Sequence, residues 1–419
     1  MNVNSSPVKV LYLESCEDGT IGGSHYCLLH LLEGLDRSRF EPVVIFYENH
    51  ALVQKFQTVA ETLVCAHTHQ PVHWGSGRSW VFMPLVFARR AVNFVKFART
   101  VAEHVFFLKR NRIALVHQNN SITRHREWMC AAFLAGVPCV ASERGLNSRY
   151  TQLDRAYARG VALIIPMSRW IMDHMVERRV SPANIRVMYD GLDPATIKIT
   201  RSAEAIRAAY HIQPEQPVLG IVGNIRAWKG QETVVRAMIE VVKVFPDVVC
   251  FFVGAATSGD KPYVDLLQAL IKEAGIEANV RFTGYQSDPA SFMNMMRLVV
   301  HASVQPEPFG MVVLEAMAQR KAVIGSRAGG VIEMVVEGKT GYTFPPGDSK
   351  TLSARIIELL NSPAQAAQMG EEGYKRLMSS FTLQHYMDEI HAAYGAILSN
   401  RPLPADIGLS YSVNTHETA

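Results

Sequence analysis

Two glutamates separated by seven residues, Glu307 and Glu315, enclose Pro-Phe-Gly-Met-Val-Val-Leu and lead into Ala-Met-Ala. A Pro- and Gly-bearing turn ahead of an apolar run predicts that Glu307 sits in a loop and that Gly310 opens a helix. The first amides of that helix, at Gly310, Met311 and Val312, then suit a phosphate. Glu315 lies about one turn inside and offers a carboxylate that accepts two hydroxyl hydrogen bonds, as a ribose diol would give. Upstream, Gly223–Gly230 (GNIRAWKG) holds Arg226 and Lys229 between two glycines, directly after the apolar run Val218–Val222. Two cations on such a loop suit a diphosphate, the arginine bridging two oxygens and the lysine acting as a point charge. A second glycine loop, with Gly19, Gly22 and Gly23, follows Val8–Leu13. Neither loop is G-x-G-x-x-G, which disfavours a nicotinamide dinucleotide. Gly338-Lys339-Thr340 is not a P-loop, because Glu333 stands where that motif needs glycine.

The elements that must carry these residues alternate. Strands are expected at Val8–Leu13, Pro42–Tyr47, Ile113–His117, Pro138–Ser142, Leu163–Met167 and Ile185–Met188. After a mixed stretch around 190–217, a second series starts at Val218, with strands at Val248–Val253, Val280–Thr283, Leu298–His301 and Ala322–Gly325. Helical patterns fall between them, and from Leu352 to about Ser399 the pattern is helical throughout. Strand–helix alternation argues for parallel sheets covered by helices, that is, two doubly wound α/β units. In such sheets ligands bind outside the carboxyl ends of the strands, where both glycine loops fall.

The 419 residues fit two domains. With 48% hydrophobic and 19% charged residues the chain is globular rather than disordered, and a net charge of +4 argues against a nucleic-acid partner. The cysteines are scattered without a C-x-x-C pair, which predicts reduced thiols in a cytoplasmic setting. The N-terminus lacks the basic start and apolar run of a secretory signal. One segment, 78–112, stands apart. It interleaves Arg78, Arg89, Arg90, Lys96, Arg99, Lys109, Arg110 and Arg112 with Trp80 and six phenylalanines, against the single acid Glu103. That pattern suits an anionic membrane surface, and equally a helix whose basic face is solvated.

The Glu307–Glu315 motif, with its flanking Pro-Phe-Gly and Glu-Ala-Met-Ala, resembles the E-x7-E motif of the family 4 retaining glycosyltransferases. The likeness extends to Tyr189–Asp193, similar to that family's N-G-I-D turn, to the Gly223–Gly230 loop, to Gly329-Gly330 with Glu333, and to the Gly22-Gly23 pair. The resemblance implies a GT-B fold: two Rossmann-like domains facing across a cleft. An acceptor-binding domain would occupy 1–195, a nucleotide-sugar-binding domain 196–382, a crossing helix 383–399 and a polar tail 400–419. It also implies that Glu315 binds the ribose, that Lys229, Gly310, Met311 and Val312 hold the diphosphate, that Gly22 and Gly23 lie by the donor, and that Glu307 sits by the transferred sugar. Neither the resemblance nor the sequence calls for a metal or other cofactor.

The sequence departs from the family pattern twice. Asn224 stands where many relatives carry arginine, which predicts that Arg226 supplies the missing charge. His117-Gln118-Asn119 replaces an H-x-H, so Asn119 aligns with the sugar-contacting histidine and His117 lies two positions earlier on the strand. His117, Asn119 and Glu307 are the expected catalytic residues. The implied activity is transfer of a sugar from a nucleotide-diphosphate donor to a saccharide or lipid-linked acceptor with retention, at the inner face of the cell membrane in cell-envelope polysaccharide synthesis. The alternatives are a degenerate GT-B protein that binds nucleotide sugar or a partner glycosyltransferase without turnover, and a sugar-nucleotide epimerase of the same fold.

Overall fold

The computed structural model describes residues 6–14, 22–65 and 83–404, with the backbone alone for 83–90. The chain divides into two compact units. The first comprises residues up to Met167, Ile171–Met188 and the segment from Met387; the second comprises Ser168–Trp170 and Tyr189–Tyr386.

In the first unit six strands form one parallel sheet: β1 (Val8–Glu14), β2 (Phe40–Phe46), β3 (Glu61–Val64), β4 (Ile113–Gln118), β5 (Cys139–Glu143) and β6 (Leu163–Pro166), in the order β3-β2-β1-β4-β5-β6. The inner strands are buried along most of their length, as the continuous apolar runs require for a sheet covered on both faces. Strand order reverses between β1 and β4, so the crevice at their carboxyl ends is this sheet's switch point. The segment Ile185–Met188, expected as a strand, is bridged at Ile185 to Ile164 and is not one of the sheet's six strands. It still follows the edge strand β6, donating from Arg186 N–H to Ile164 O at 3.0 Å and from Met188 N–H to Pro166 O at 3.2 Å.

The second unit repeats the plan with β7 (Val218–Val222), β8 (Val249–Val253), β9 (Val280–Gly284), β10 (Leu298–His301), β11 (Ala322–Ser326) and β12 (Gly341–Phe344), in the order β12-β11-β10-β7-β8-β9. Its switch point lies between β7 and β10. The core joins Leu219, Val234, Phe252, Val300, Ile324 and Phe344, all at most 1% exposed. The helical C-terminal region consists of helices Ser349–Asn361, Pro363–Ser380 and Leu383–Leu398. From Met387 the last of these belongs to the first unit: Tyr394 is fully buried, with its hydroxyl against Tyr12 and His117, and His391 stacks on Phe40.

Candidate functional site

At the second unit's switch point β7 runs into the Gly223–Gly230 loop and β10 into the loop that carries Glu307. Glycine is required where these loops touch. Gly230 has φ +75°, and a Cβ there would collide with the carbonyl of Ala302; Gly329 has φ +67°, and a Cβ there would collide with the carbonyl of Glu307. Trp228 O accepts from Val304 N–H at 2.8 Å, and Glu307 O accepts from Gly330 N–H at 2.9 Å, which fastens both loops to the sheet end.

Between these loops lies a charged cluster. Lys229 Nζ donates to both carboxylate oxygens of Glu307, at 2.8 and 2.9 Å. His301 Nε2 lies 2.7 Å and Ser303 Oγ 2.9 Å from Oε2 of the same carboxylate. Burial alone would raise the Glu307 pKa, but His301 and Lys229 outweigh it and hold the carboxyl well below the usual carboxylate range. The ammonium of Lys229 also rests 4.4 Å from the centroid of the Trp228 ring.

Gly310, with φ +100°, ends this loop and opens helix Met311–Ala318. The first bond formed there runs from Val313 N–H to Gly310 O, at 2.9 Å, which leaves the amides of Met311 and Val312 at the helix start. Glu315 lies one turn on. Among the described residues its carboxylate has no hydrogen-bond partner, and burial pushes its pKa up against the smaller opposing effect of Lys229. A carboxylate so placed is short of donors, which is what a diol supplies. Arg226, expected beside the diphosphate, has Nε 3.5 Å from Asp260. Asn224 uses its carbonyl to accept from Gln231, at 3.0 Å.

The first unit's switch point is built differently. Glu14, the last residue of β1, is fully buried. Its carboxylate accepts from the side-chain amide of Asn119, from Asn120 Nδ2 at 2.9 Å and from Ser24 Oγ at 3.2 Å. Asn119 also donates to Ser24 O at 3.2 Å and accepts from Arg144 Nε at 3.0 Å. His25 Nε2, buried and without a hydrogen-bond partner, lies 4.0 Å from Glu14. Nothing stands within 4 Å of where a Cβ would project from Gly22 or Gly23, so the glycine pair borders open space.

His117 does not face this space. It is fully buried, with Nδ1 on the Tyr394 hydroxyl and Nε2 2.8 Å from Ser142 Oγ; burial, with Arg144 adding to it, pushes its pKa down to about 3. Both ring nitrogens are engaged by protein, so His117 lies in the core of the first unit. The amide of Asn119 is likewise engaged at both ends and oriented inward, so its observed contacts are with protein. Sequence reasoning missed Glu14, His301 and Ser303. A carboxylate ending an apolar strand just before a glycine loop was the available signal for the first.

Of the residues assigned to a membrane surface, Lys96 and Arg99 are exposed on helix Met83–Arg110, and Arg99 pairs with Glu103 at 2.9 Å. The side chains of Arg89 and Arg90 lie outside the described residues, as do Gly19 and residues 78–82. Among the described residues no group of three or more His, Cys, Asp or Glu is placed to hold a metal ion. No helix among them is long and apolar enough to cross a membrane.

Solved structures share this architecture. The Anabaena protein Alr3699/HepE, determined with UDP and glucose, matches 93% of this chain and 100% of its own with a TM-score of 0.75 at 23% identity. Sucrose-phosphate synthase of Thermosynechococcus elongatus matches 94% and 100% with a TM-score of 0.70 at 18% identity. In sequence, the lipopolysaccharide core biosynthesis mannosyltransferase LpcC of Rhizobium leguminosarum bv. viciae is 31% identical over 214 residues, 51% of this chain and 60% of that protein. The N-acetyl-alpha-D-glucosaminyl L-malate synthase of Bacillus anthracis is 28% identical over 51% of this chain and 54% of its own. The chain thus spans little more than half the length of these two curated relatives.

Two doubly wound units with glycine loops at their switch points define a protein of GT-B fold. Residues 202–376 match the family model described as Glycosyl transferases group 1.

Proposed function

We propose that this protein transfers a sugar from a nucleotide-diphosphate donor to a saccharide or lipid-linked acceptor, with retention at the anomeric carbon. The second unit would hold the donor and the first the acceptor. The observation that carries the reading is Glu315: a half-buried carboxylate without a hydrogen-bond partner among the described residues, one turn inside a helix whose first amides are available. In this reading Glu315 binds the ribose diol, and the Met311 and Val312 amides receive the diphosphate. Lys229 exchanges its bond to Glu307 for one to the diphosphate, which leaves Glu307 on His301 and beside the sugar. Lys229, Arg226 and the helix start would neutralise the leaving diphosphate, so no metal is invoked. That the Anabaena neighbour was solved with UDP makes a uridine donor the first to test.

The partnered amide of Asn119 and the Lys229–Glu307 pair favour a second reading, a chain that binds nucleotide sugar without turnover. Calorimetry with UDP, followed by assays for UDP release from nucleotide sugars, separates the two. Binding with release supports the enzyme, and binding without release across the donor panel supports the second reading. Proton NMR of the product's anomeric centre tests retention. The setting proposed is the cytoplasmic face of a membrane, as a peripheral protein.

A further inference from the structure

The N-terminus of helix Gly23–Glu33 is capped from within. Its N-cap residue, Gly22, has no side chain, and its first turn holds no acidic residue. The amide of Gly22 donates instead to Nδ1 of His25, at 3.3 Å. The main chain closes the turn in the other direction, from His25 N–H to Gly22 O at 3.2 Å. His25 stands three residues after the N-cap, the place in a capping box that glutamate or glutamine ordinarily fills with a side-chain oxygen. Here the acceptor is an imidazole nitrogen, which accepts only while it is unprotonated.

That bond fixes the state of the ring. A neutral imidazole has one donor and one acceptor nitrogen, so with Nδ1 accepting, the proton sits on Nε2. The ring is 3% exposed, and its Nε2 has no hydrogen-bond partner and lies 4.0 Å from Oε1 of Glu14. Two titratable groups face it among the described residues: Glu14, at the end of β1, and His50, which follows β2 and meets it edge-on with ring centroids 4.9 Å apart. Burial, and His25 after it, push the His50 pKa down, which keeps that neighbour neutral. Ser24 Oγ, 3.5 Å from Nδ1, donates to Glu14 at 3.2 Å, and beyond them Arg144 binds Asn119.

We propose that His25 is a positioning residue whose neutral ring holds Gly22 and Gly23 at the first unit's switch point and whose protonation releases them. A second proton on the ring acts in one direction only. It sets a donor on Nδ1 against the donating amide of Gly22, so the cap bond is lost. It places a positive charge in the first turn, which the helix dipole opposes. It also gives the ring a carboxylate to turn towards, that of Glu14. The glycine pair borders open space, with nothing within 4 Å of where a Cβ would project, so no packed side chain replaces the lost cap. The part played in turnover rests on the glycosyltransferase reading, in which this crevice receives substrate; the latch itself does not.

The test uses the full chain at about pH 7.5 and about pH 5.5, on either side of the range in which histidine changes charge. In proton–nitrogen correlation spectra of the histidine rings, assigned by the signals lost in His25→Gln, His25 should carry its proton on Nε2 at the higher pH. Glutamine keeps a side-chain acceptor at the same place and does not titrate. Hydrogen exchange over Gly22–Leu28 should therefore be equal in wild type and His25→Gln at the higher pH, and about fivefold faster in wild type at the lower. His25→Leu, which has no acceptor, should exchange about fivefold faster than His25→Gln at both, with unchanged far-ultraviolet circular dichroism. A proton on Nδ1 at the higher pH overturns the proposal. So does a ratio of exchange rates between wild type and His25→Gln that does not change with pH. UDP release from nucleotide sugars should fall in wild type relative to His25→Gln as pH is lowered, and equal pH profiles overturn the positioning role. Failure of wild type to release UDP at either pH would instead strike the sugar-transfer reading and leave the ring and exchange results standing.

Discussion

The two switch points carry similar residues in opposite electrostatic arrangements. Each has a glutamate, a histidine and a serine. In the second unit Glu307 lies directly on Lys229, where charge answers charge, with His301 Nε2 2.7 Å away. In the first unit Glu14 is held by two neutral amides and a hydroxyl, with the nearest histidine nitrogen 4.0 Å away. An ion pair beside open loops can be exchanged, because an incoming anion replaces the carboxylate on the lysine. A buried carboxylate satisfied by neutral donors has nothing to exchange and serves to hold geometry. The contrast is between an ion pair in the second unit and a carboxylate held by neutral donors in the first.

The sharpest way to break this contrast is Lys229→Ala. If Lys229 is the exchangeable partner, kcat/KM with the donor should fall up to about a hundredfold, about 2.8 kcal/mol. Arg226→Ala should cost less, because Asp260 already competes for that side chain. A Lys229→Ala enzyme of full activity would make the pair purely structural. Glu315→Ala should weaken UDP binding by roughly thirtyfold, about 2 kcal/mol for the hydrogen bonds it accepts from a diol. Glu307→Gln should weaken it less. Equal UDP affinity in wild type and Glu315→Ala would remove the ribose assignment.

Acidity separates the units further. In the first unit burial keeps His117 neutral down to about 3, against an ordinary 6.5, and pushes Glu143 up to about 8, against an ordinary 4.5. Between about pH 4.5 and 6.5 the two cancel: unfolding takes up a proton at His117 and releases one at Glu143. Below that window only the His117 uptake remains, and stability falls with falling pH. Above it only the Glu143 release remains, and stability falls as pH rises towards 8, by about 1.4 kcal/mol per pH unit. In the second unit Glu307, held low, contributes stability that is complete above about 4.5 and is lost only as acid forces a proton onto it. Hydrogen exchange resolved by peptide, run from pH 6.5 to 8, should therefore show the first unit losing protection selectively. Glu143→Gln should abolish that loss, and unchanged pH dependence in this variant would discredit the assignment.

The smallest effect concerns Glu14 as a positioning residue. Glu14→Gln sets amide against amide at Asn119 and should lower turnover about tenfold, near 1.4 kcal/mol, with UDP affinity unchanged. Adding Asn119→Asp restores a carboxylate–amide pair and keeps an acceptor for Arg144. Recovery in the double variant is expected, and a further loss would confine Glu14 to stability.

Much of this was legible in the sequence, for a physical reason. Inner strands such as Val218–Val222 are short apolar runs, this one set between Pro217 and Gly223, and glycines at 230 and 329 mark backbone contacts that no Cβ fits. The edge strands Glu61–Val64 and Gly341–Phe344 escaped because each is four residues long with one partner strand, too short to show a period. The Glu307–Glu315 pattern located the second site because its parts are local. What holds Glu14 was hidden because its partners Asn119 and Asn120 lie more than a hundred residues away. The surroundings of His117 were hidden for a related reason: its partner Tyr394 lies far along the chain.

That last contact has a consequence for synthesis. Tyr394 closes the space between Tyr12 and His117, yet it is translated after the whole of the second unit. At roughly 5–20 residues per second the ribosome needs about 10–40 s to make the ~200 residues in between. Through that interval the first unit waits with an unfilled seam in its core and with an aromatic, basic helix exposed, while the second unit, contiguous from Tyr189 to Tyr386 but for three residues, can close on its own. The nascent N-terminal half is therefore the part that needs a chaperone's cover, and a ribosome stalled before Tyr394 leaves it unfinished.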